Sequence, residues 1–196
     1  WFGARIDDSS SRGDWTPAPS VFPDGLGPTI AHVQSLGMGF GLWIEPEMIS
    51  PDSDLYRAHP EWCLHAKGAE RPLMRNQLVL DLTRSEVIDY LFSQINTLLS
   101  ENEIAYLKWD HNRDLFPHDG KTYRQTEAFY ALLDRLRRAH PEVEIESCAS
   151  GGGRIDFGVL SRTHRVWPSD NNDPIERLRI MRSWSQFLPL EVLGNH

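Results

Sequence analysis

The sequence predicts an α/β protein built as a (β/α)8 TIM barrel that is truncated at both ends, with about six strands visible. Three observations point to this fold. A unit of buried strand, polar loop and helix recurs at spacings of roughly 25–40 residues, as in parallel sheets with helical crossovers. Polar residues cluster at the carboxyl end of every strand, where barrels carry their active sites. No GxGxxG motif follows the first strand, which disfavours the alternative of a doubly wound nucleotide-binding sheet.

The first half of the chain contains a loop, a helix and two predicted strands. Residues 1–25 are rich in Gly, Ser, Asp and Pro, whereas residues 26–36 carry apolar side chains at helical spacing. Strands are predicted at 40–44 and 78–83. A proline-rich connection over 50–72 separates them, and loops of that length inside a domain are usually functional.

The second half alternates helices with strands. The predicted helices cover 87–99, 122–139 and 174–187. The predicted strands cover 104–109, 143–148, 165–167 and 190–193. These strands end in charged, amide or glycine-rich segments, and those strand ends hold the candidate site residues.

Composition and charge exclude several functional classes. The chain has 196 residues, 40% of them hydrophobic and 24% charged, which suits one globular domain. A net charge of −8 without a basic stripe argues against a nucleic-acid partner. Neither a signal peptide nor a long apolar span is present, so we expect no membrane partner and a cytoplasmic location.

Cysteine and histidine spacing indicates neither a disulfide framework nor a metal site. Cys63 and Cys148 lack CxxC spacing, and the eight histidines lack an HxH or HExxH context. The glycine run at 151–153 lacks the Lys-Ser/Thr of a P-loop, so we expect it to permit a close approach of backbone to a ligand. We expect Cys148 to line a pocket as a small residue.

Two strand ends carry isolated carboxylates. Asp110 and Asp170 end the fourth and sixth strands when one missing strand is counted as the first. Because alternate strands of a barrel point their residues toward one another, we expect the two carboxylates to face each other across the mouth. Two such carboxylates are the catalytic apparatus of a glycosidase.

The neighbours of the two carboxylates suggest different roles. Lys108 lies two residues before Asp110, so both side chains project from the same side of a strand. A nearby cation favours the ionised form, which suits Asp110 as the nucleophile. Asp170 has no adjacent cation and suits the proton donor. Its alternative role is a helix cap, for which Asp173 or Asn172 is better placed.

Tryptophans are concentrated near acidic residues. Trp15, Trp43, Trp109 and Trp167 each have an acidic residue within three positions. Aromatic faces beside carboxylates suit a sugar, whose C–H faces stack on rings while its hydroxyls bond to charged groups. The alternative is that these tryptophans are large core residues.

Taken in order, these motifs resemble the catalytic barrel of family 36 glycoside hydrolases, the microbial α-galactosidases. The similar segments are WFG at 1–3, GDW at 13–15, GLWIEPEM at 41–48, RNQLVLD at 75–81, KWD at 108–110, SC at 147–148 and WPSDN at 167–171. Each motif is weak alone, but the ordered set covers nearly the whole chain and is highly specific.

The resemblance implies a retaining α-galactosidase that hydrolyses terminal α-D-galactosyl residues of melibiose- and raffinose-type oligosaccharides by double displacement, without metal or organic cofactor. Asp110 would be the nucleophile and Asp170 the general acid and base. The residues expected to line the galactose subsite are Trp43, Arg75, Lys108, Cys148 and Gly151. A related α-N-acetylgalactosaminidase, an α-galactosyl transferase, or an inactive sugar-binding or scaffold fragment are the alternatives.

The chain also departs from the family. His111 stands where members usually have Met, and Asn172 where they usually have Thr. The family's galactose-binding Asp-Asp pair lies upstream of Trp1. We therefore expect residues 1–196 to be a catalytic-barrel fragment without the family's N- and C-terminal β-domains. Its open barrel edge would leave it inactive alone, while the full-length protein would form a homo-oligomer.

Overall fold

The central feature of the fold is a sheet of parallel strands. A computed structural model describes residues 1–116 and 118–195. The strands in these ranges are β1 (Gly41–Ile44), β2 (Met48–Ile49), β3 (Leu78–Val79), β4 (Tyr106–Trp109), β5 (Glu144–Ser147) and β6 (Arg165–Val166). The four-stranded sheet has the order β1-β4-β5-β6 with all strands parallel. Helices connect β4 to β5 and β5 to β6, which confirms the predicted α/β class, and a truncated TIM barrel fits this arrangement.

The helices follow the apolar periods of the sequence. In chain order they are α1 (Gly27–Ser35), α2 (Asp54–Ala58), α3 (Ser85–Glu101), α4 (Thr122–Ala139), α5 (Phe157–Leu160) and α6 (Pro174–Trp184). Short 3-10 helices cover Pro60–Trp62 and Leu190–Val192. The four helices predicted at 26–36, 87–99, 122–139 and 174–187 are therefore confirmed within a few residues.

The long helices are amphipathic and cover one face of the sheet. On α4, Phe129, Leu132 and Leu136 are buried, and the ring of Phe129 lies 5.7 Å from that of Trp109 on β4. At the start of α6, Asp173 accepts hydrogen bonds from two backbone N–H groups, so it is the cap that the sequence favoured. Within residues 1–116 and 118–195, none of the helices is both long and apolar enough to cross a membrane.

The strand register brings one row of polar side chains together on the other face. Trp43 of β1 pairs with Lys108 of β4, which pairs with Glu146 of β5, which pairs with Arg165 of β6. Partners in a parallel sheet point to the same side. The loops after β4 and β6 therefore leave the sheet at the same edge, with β5 between them.

The predicted strand at 78–83 does not belong to this sheet. Only its first two residues form a strand, β3, which pairs antiparallel with β2, and β1 pairs directly with β4. Leu80, which forms only an isolated bridge with Cys63, and Leu82 are buried outside the strand. A short apolar run looks the same in either setting, because periodicity does not separate a barrel strand from other buried backbone.

The predicted strand at 190–193 is also corrected. Leu190–Val192 form a 3-10 helix, and strand pairing is limited to a bridge between Leu193 and Val166. The backbone N–H of Gly194 donates to the carbonyl of Val166 at 2.8 Å. The predicted set of six barrel strands thus becomes four strands with one bridge beside β6.

Candidate active site

Asp110 directly follows the last residue of β4. Its backbone N–H donates to the Ile44 carbonyl at 2.8 Å, which fixes the residue beside the end of β1. Its Oδ2 accepts a hydrogen bond from the indole N–H of Trp43 at 2.9 Å. Its Oδ1 accepts one from the backbone N–H of His111 at 2.8 Å. With 7% of its surface exposed, this carboxylate is buried and firmly oriented.

The hydrogen bonds around Asp110 determine its charge state. Burial alone would raise the pKa of the carboxyl group. Hydrogen-bond donors outweigh burial and hold the pKa below its ordinary value: the Asn112 side chain, the Trp43 indole, the Cys148 thiol and the His111 backbone N–H. Asp110 is therefore a carboxylate at neutral pH, and the groups that donate hydrogen bonds to its oxygens are uncharged.

Lys108 does not play the part expected of it. Its Nζ lies 2.9 Å from Oε1 of Glu146 and 4.0 Å from the ring centroid of Trp167. Glu146 occupies the paired position on the neighbouring strand, so it meets the ammonium group across the sheet. This corrects the expectation that Lys108 keeps Asp110 ionised. Lys108, Glu146 and Trp167 instead line an open cavity of about 370 Å³ on the inner face of the sheet.

Cys148 contributes a protonated thiol. It follows β5 and is 2% exposed. Burial and the adjacent negative charge of Asp110 raise the pKa of the thiol to about 12. The thiol is therefore a hydrogen-bond donor to Asp110 and not a nucleophile.

Asp170 lies in the loop after β6, near the edge where Asp110 is held. Its side chain is exposed, and its Oδ1 accepts a hydrogen bond from the indole N–H of Trp167 at 2.9 Å. The two carboxylates follow β4 and β6, which are the second and fourth strands of the described sheet. The alternation of their strands, which the sequence argument needed, is preserved.

Gly151 lets the loop after β5 pack directly against the Asp170 loop. Its φ is +84°, and a Cβ added there would lie 2.8 Å from the Cα of Ser169 and 3.0 Å from the backbone nitrogen of Asp170. No side chain fits in this space. The glycine run therefore permits a close approach to the chain's own backbone, and the expected approach to a ligand stays a prediction.

Arg75 lies at the rim. It occupies an exposed turn between Met74 and Gln77 with a φ of +52°, a conformation that non-glycine residues seldom adopt. It lines an open cleft of about 580 Å³ together with residues of the β4 and β5 loops, among them His111, Asn112, Ser150 and Arg154. Arg75 thus shares a cleft with the neighbours of Asp110.

Glu45, a residue that sequence reasoning did not select, secures the Asp110 loop. It is fully buried, and its Oε2 lies 2.6 Å from Nε of Arg12. Its Oε1 accepts a hydrogen bond from the backbone N–H of Asn112 at 2.8 Å. Because the Asn112 side chain in turn donates to Asp110, Glu45 fixes one of the donors that keep Asp110 ionised. The sequence pattern that could have identified Glu45 is a carboxylate directly after an apolar strand.

Glu47 connects three loops. Its Oε1 accepts hydrogen bonds from Trp109 Nε1 at 2.9 Å and from Arg154 Nη1 at 2.8 Å, and its Oε2 lies 3.4 Å from His111 Nδ1. Burial would raise its pKa, but Arg154, His111 and the Trp109 N–H together lower it to about 2. His111, one of the departures from the family, therefore contacts a buried carboxylate beside the site.

The four tryptophans divide between core and site. Trp15 and Trp109 are each 1% exposed and belong to the hydrophobic core, so for these two the sugar-stacking interpretation is wrong. Trp43 is half-buried and bonds Asp110, while Trp167 bonds Asp170. Among the described residues, no group of three His, Cys, Asp or Glu side chains could hold a metal ion.

Comparisons with known proteins match the whole chain. A family model described as melibiase matches residues 1–196. An α-galactosidase of Escherichia coli is 53% identical over 200 residues, covering 100% of this chain and 28% of that protein. The chain therefore spans little more than a quarter of the length of this relative.

Solved structures agree with these matches. The galactosidase domain of the α-galactosidase–sucrose kinase AgaSK, a protein of Mediterraneibacter gnavus, superposes with a TM-score of 0.95 at 43% identity, covering 100% of this chain and 28% of that one. The GH36 α-galactosidase AgaA of Geobacillus stearothermophilus, solved as a variant with raffinose, gives a TM-score of 0.94 at 40% identity, with 100% and 29% covered.

Proposed function

The chain belongs to the melibiase family, and on that basis we propose that it supplies the catalytic core of a retaining α-galactosidase. The observation that carries the proposal is the state of Asp110. It is a buried carboxylate at a strand end, with its pKa lowered by donors from Trp43, Cys148 and the two residues that follow it. An ionised, oriented carboxylate at the mouth of a barrel is what a glycosyl nucleophile requires.

The proposed substrate is a terminal α-D-galactosyl residue of a melibiose- or raffinose-type oligosaccharide. The E. coli relative bears the name α-galactosidase, and the AgaA structure holds raffinose. The proposed galactose subsite contains Trp43, Arg75, Lys108, Cys148 and the backbone near Gly151. In this subsite Lys108 is held in place by its ion pair with Glu146, so that it can donate to a sugar hydroxyl.

The proposed reaction proceeds in two displacements. In the first, an Asp110 oxygen attacks the anomeric carbon while Asp170 gives its proton to the glycosidic oxygen, which leaves as the alcohol. A β-galactosyl ester of Asp110 results. In the second, Asp170 takes a proton from water, the water oxygen attacks the anomeric carbon, and Asp110 is released as a carboxylate. Two inversions give galactose with retained α configuration.

The test uses the complete gene product with an aryl α-galactoside. Asp110→Ala should lower kcat/KM for the aryl substrate on the order of 10³-fold or more, because it removes the group that attacks the anomeric carbon. Asp170→Ala should lower kcat/KM far more for melibiose, whose sugar leaving group requires a proton, than for the aryl substrate. Asp24→Ala, at an exposed position in the N-terminal loop, is the matched control and should not change activity. Near-normal turnover by Asp110→Ala would overturn the nucleophile assignment.

The stereochemistry and the substrate are tested on the same preparation. Proton NMR of the first product should show α-galactose, and initial release of β-galactose would mean inversion and overturn the proposal. Parallel assays with an α-N-acetylgalactosaminide and with a sugar acceptor distinguish the α-N-acetylgalactosaminidase and α-galactosyl transferase alternatives. Binding of raffinose without any turnover would favour the sugar-binding scaffold.

Three further predictions concern the protein as a whole. We propose that residues 1–196 are the catalytic-barrel region of a protein that also carries β-domains on both sides, that this protein is a homo-oligomer, and that it is cytoplasmic. Light scattering of the complete gene product tests the assembly, and cell fractionation tests the location. A monomer, or activity found outside the cytoplasm, would contradict the respective prediction.

A further inference from the structure

The indole of Trp167 touches a residue from each of the two candidate strand ends. Its N–H donates to Oδ1 of Asp170 at 2.9 Å, and the Nζ of Lys108 lies 4.0 Å from its ring centroid. The residue is 6% exposed, so its ring is fixed by packing. Trp167 is thus in contact with the proposed acid and with a lysine of the proposed galactose subsite.

A second cation holds the same ring and the Asp170 loop together. The guanidinium carbon of Arg177 lies 4.7 Å from the Trp167 ring centroid. Arg177 is 6% exposed, and its Nη1 donates to the carbonyl of Ser169 at 2.7 Å. Cations over an indole ring contribute favourable energy, more so when they are desolvated. The ring and the backbone just before Asp170 are therefore fixed relative to each other.

Backbone packs tightly against one edge of the indole and against the loop that carries Asp170. A Cβ added to Gly194 would lie 2.9 Å from Cε3 of Trp167, and one added to Gly151 would lie 2.8 Å from the Cα of Ser169. Neither the ring nor the loop has room to shift on these sides. The direction of the Trp167 N–H, and with it the oxygen it selects on Asp170, is set by the fold.

We propose that Trp167 is a positioning residue that determines which oxygen of Asp170 carries the catalytic proton. This inference rests on the proposed function. While Oδ1 accepts the indole N–H, a proton on Oδ1 in that direction is blocked, so the neutral acid carries its proton on Oδ2. The proton moves from Oδ2 to the glycosidic oxygen of the substrate, and Oδ2 later receives one from water.

The test is the dependence of rate on the leaving group, measured on the complete gene product. A phenolate such as p-nitrophenolate leaves with little help from an acid, whereas the sugar alkoxide of melibiose requires protonation. Trp167→Phe keeps an aromatic ring for Lys108 and Arg177 but removes the N–H. We expect kcat/KM for melibiose to fall about tenfold more than kcat/KM for the aryl galactoside.

The ratio of the two kcat/KM values makes the result specific. Loss of folded enzyme, or a weaker Lys108 contact with galactose, lowers both values equally and cancels in the ratio. Trp184→Phe, at a half-buried indole on α6, is the matched control and should keep the wild-type ratio. Trp167→His keeps a ring N–H, and its ratio should lie between those of the wild type and Trp167→Phe.

Asp170→Asn separates failure of this inference from failure of the proposed function. If Asp170→Asn lowers kcat/KM equally for melibiose and the aryl galactoside, Asp170 is not the acid and the proposed function fails. If Asp170→Asn lowers kcat/KM selectively for melibiose but Trp167→Phe keeps the wild-type ratio, only the inference is overturned. A ratio for Trp167→His below that of Trp167→Phe would also contradict it.

Discussion

The ammonium of Lys108 is paired with Glu146, 2.9 Å away on the neighbouring strand. Asp110 thus has its pKa lowered by hydrogen bonds from an indole, an amide, a thiol and a backbone N–H. Neutral donors favour ionisation while leaving the carboxylate its negative charge. This arrangement suits a group that must attack an electron-poor carbon.

Removal of the Lys108 charge should therefore leave the ionisation of Asp110 unchanged. We expect Lys108→Met to lower kcat/KM, because the proposed hydroxyl contact is lost, while the acidic limb of the pH profile stays within about 0.3 pH unit of the wild type. The pH profile of kcat/KM reports the pKa values of essential groups in the free enzyme. An acidic limb displaced upward by a full unit would reinstate Lys108 as the group that keeps Asp110 ionised.

Removal of a hydrogen-bond donor to Asp110 should shift the acidic limb of the kcat/KM profile to higher pH. Cys148→Ala deletes the thiol donor, which raises the pKa of Asp110, so activity is lost at a higher pH than in the wild type. The expected displacement is about one pH unit, since a hydrogen bond to a charged group contributes about 1.5 kcal/mol. Cys148→Ser retains a donor and is the control. Identical acidic limbs in the two variants would refute the hydrogen bond.

A methyl group at Gly151 should displace Asp170. Gly151→Ala places a Cβ 2.8 Å from the Cα of Ser169, so the loop that carries Asp170 has to move. Gly120→Ala is the matched control, because Gly120 also has a positive φ, +67°, but its Cβ meets open space. Both variants should lose about 1 kcal/mol from backbone strain. Only Gly151→Ala should lose kcat/KM, by about tenfold or more.

Glu47 should stabilise the fold in a pH-dependent way. Its pKa falls from 4.5 to about 2 on folding, so its contribution is complete above pH 4.5 and disappears as the pH falls toward 2. Glu47→Gln should cost roughly 3 kcal/mol at pH 7 and progressively less below pH 4.5. Thermal unfolding of both proteins at several pH values measures this. A difference in melting temperature that is constant from pH 7 to pH 3 would contradict the assignment.

The helices and the parallel sheet were accessible from sequence, because their signals are local. The apolar period of α4 gave its bounds, Thr122–Ala139, directly. The strand at 78–83 was misplaced because its partner, Met48–Ile49, lies in a segment to which no element was assigned, and a two-residue strand carries no period. Pairing between distant segments is not written in either segment alone.

Several residues of the candidate site were also predictable from the sequence, but their partners from distant segments were not. Asp110, Asp170, Trp43 and Cys148 were selected from strand ends and from the resemblance, and Asp110 contacts both Trp43 and Cys148. The partners Glu45 and Glu146 were not selected, because Glu45 binds Asn112 across 67 positions and Glu146 binds Lys108 between strands. Sequence proximity suggested Lys108 as the partner of Asp110, but the strand register pairs Lys108 with Glu146, whose carboxylate it binds.

Covalent trapping tests the central claim, that Asp110 is the nucleophile, most directly. The complete gene product is incubated with 5-fluoro-α-D-galactosyl fluoride, which slows hydrolysis of a glycosyl ester, and is then digested and analysed by mass spectrometry. The account predicts one fluorogalactosyl group on the peptide that contains Asp110, and none in Asp110→Asn. A label on another residue would contradict it, as would turnover that releases β-galactose without any adduct.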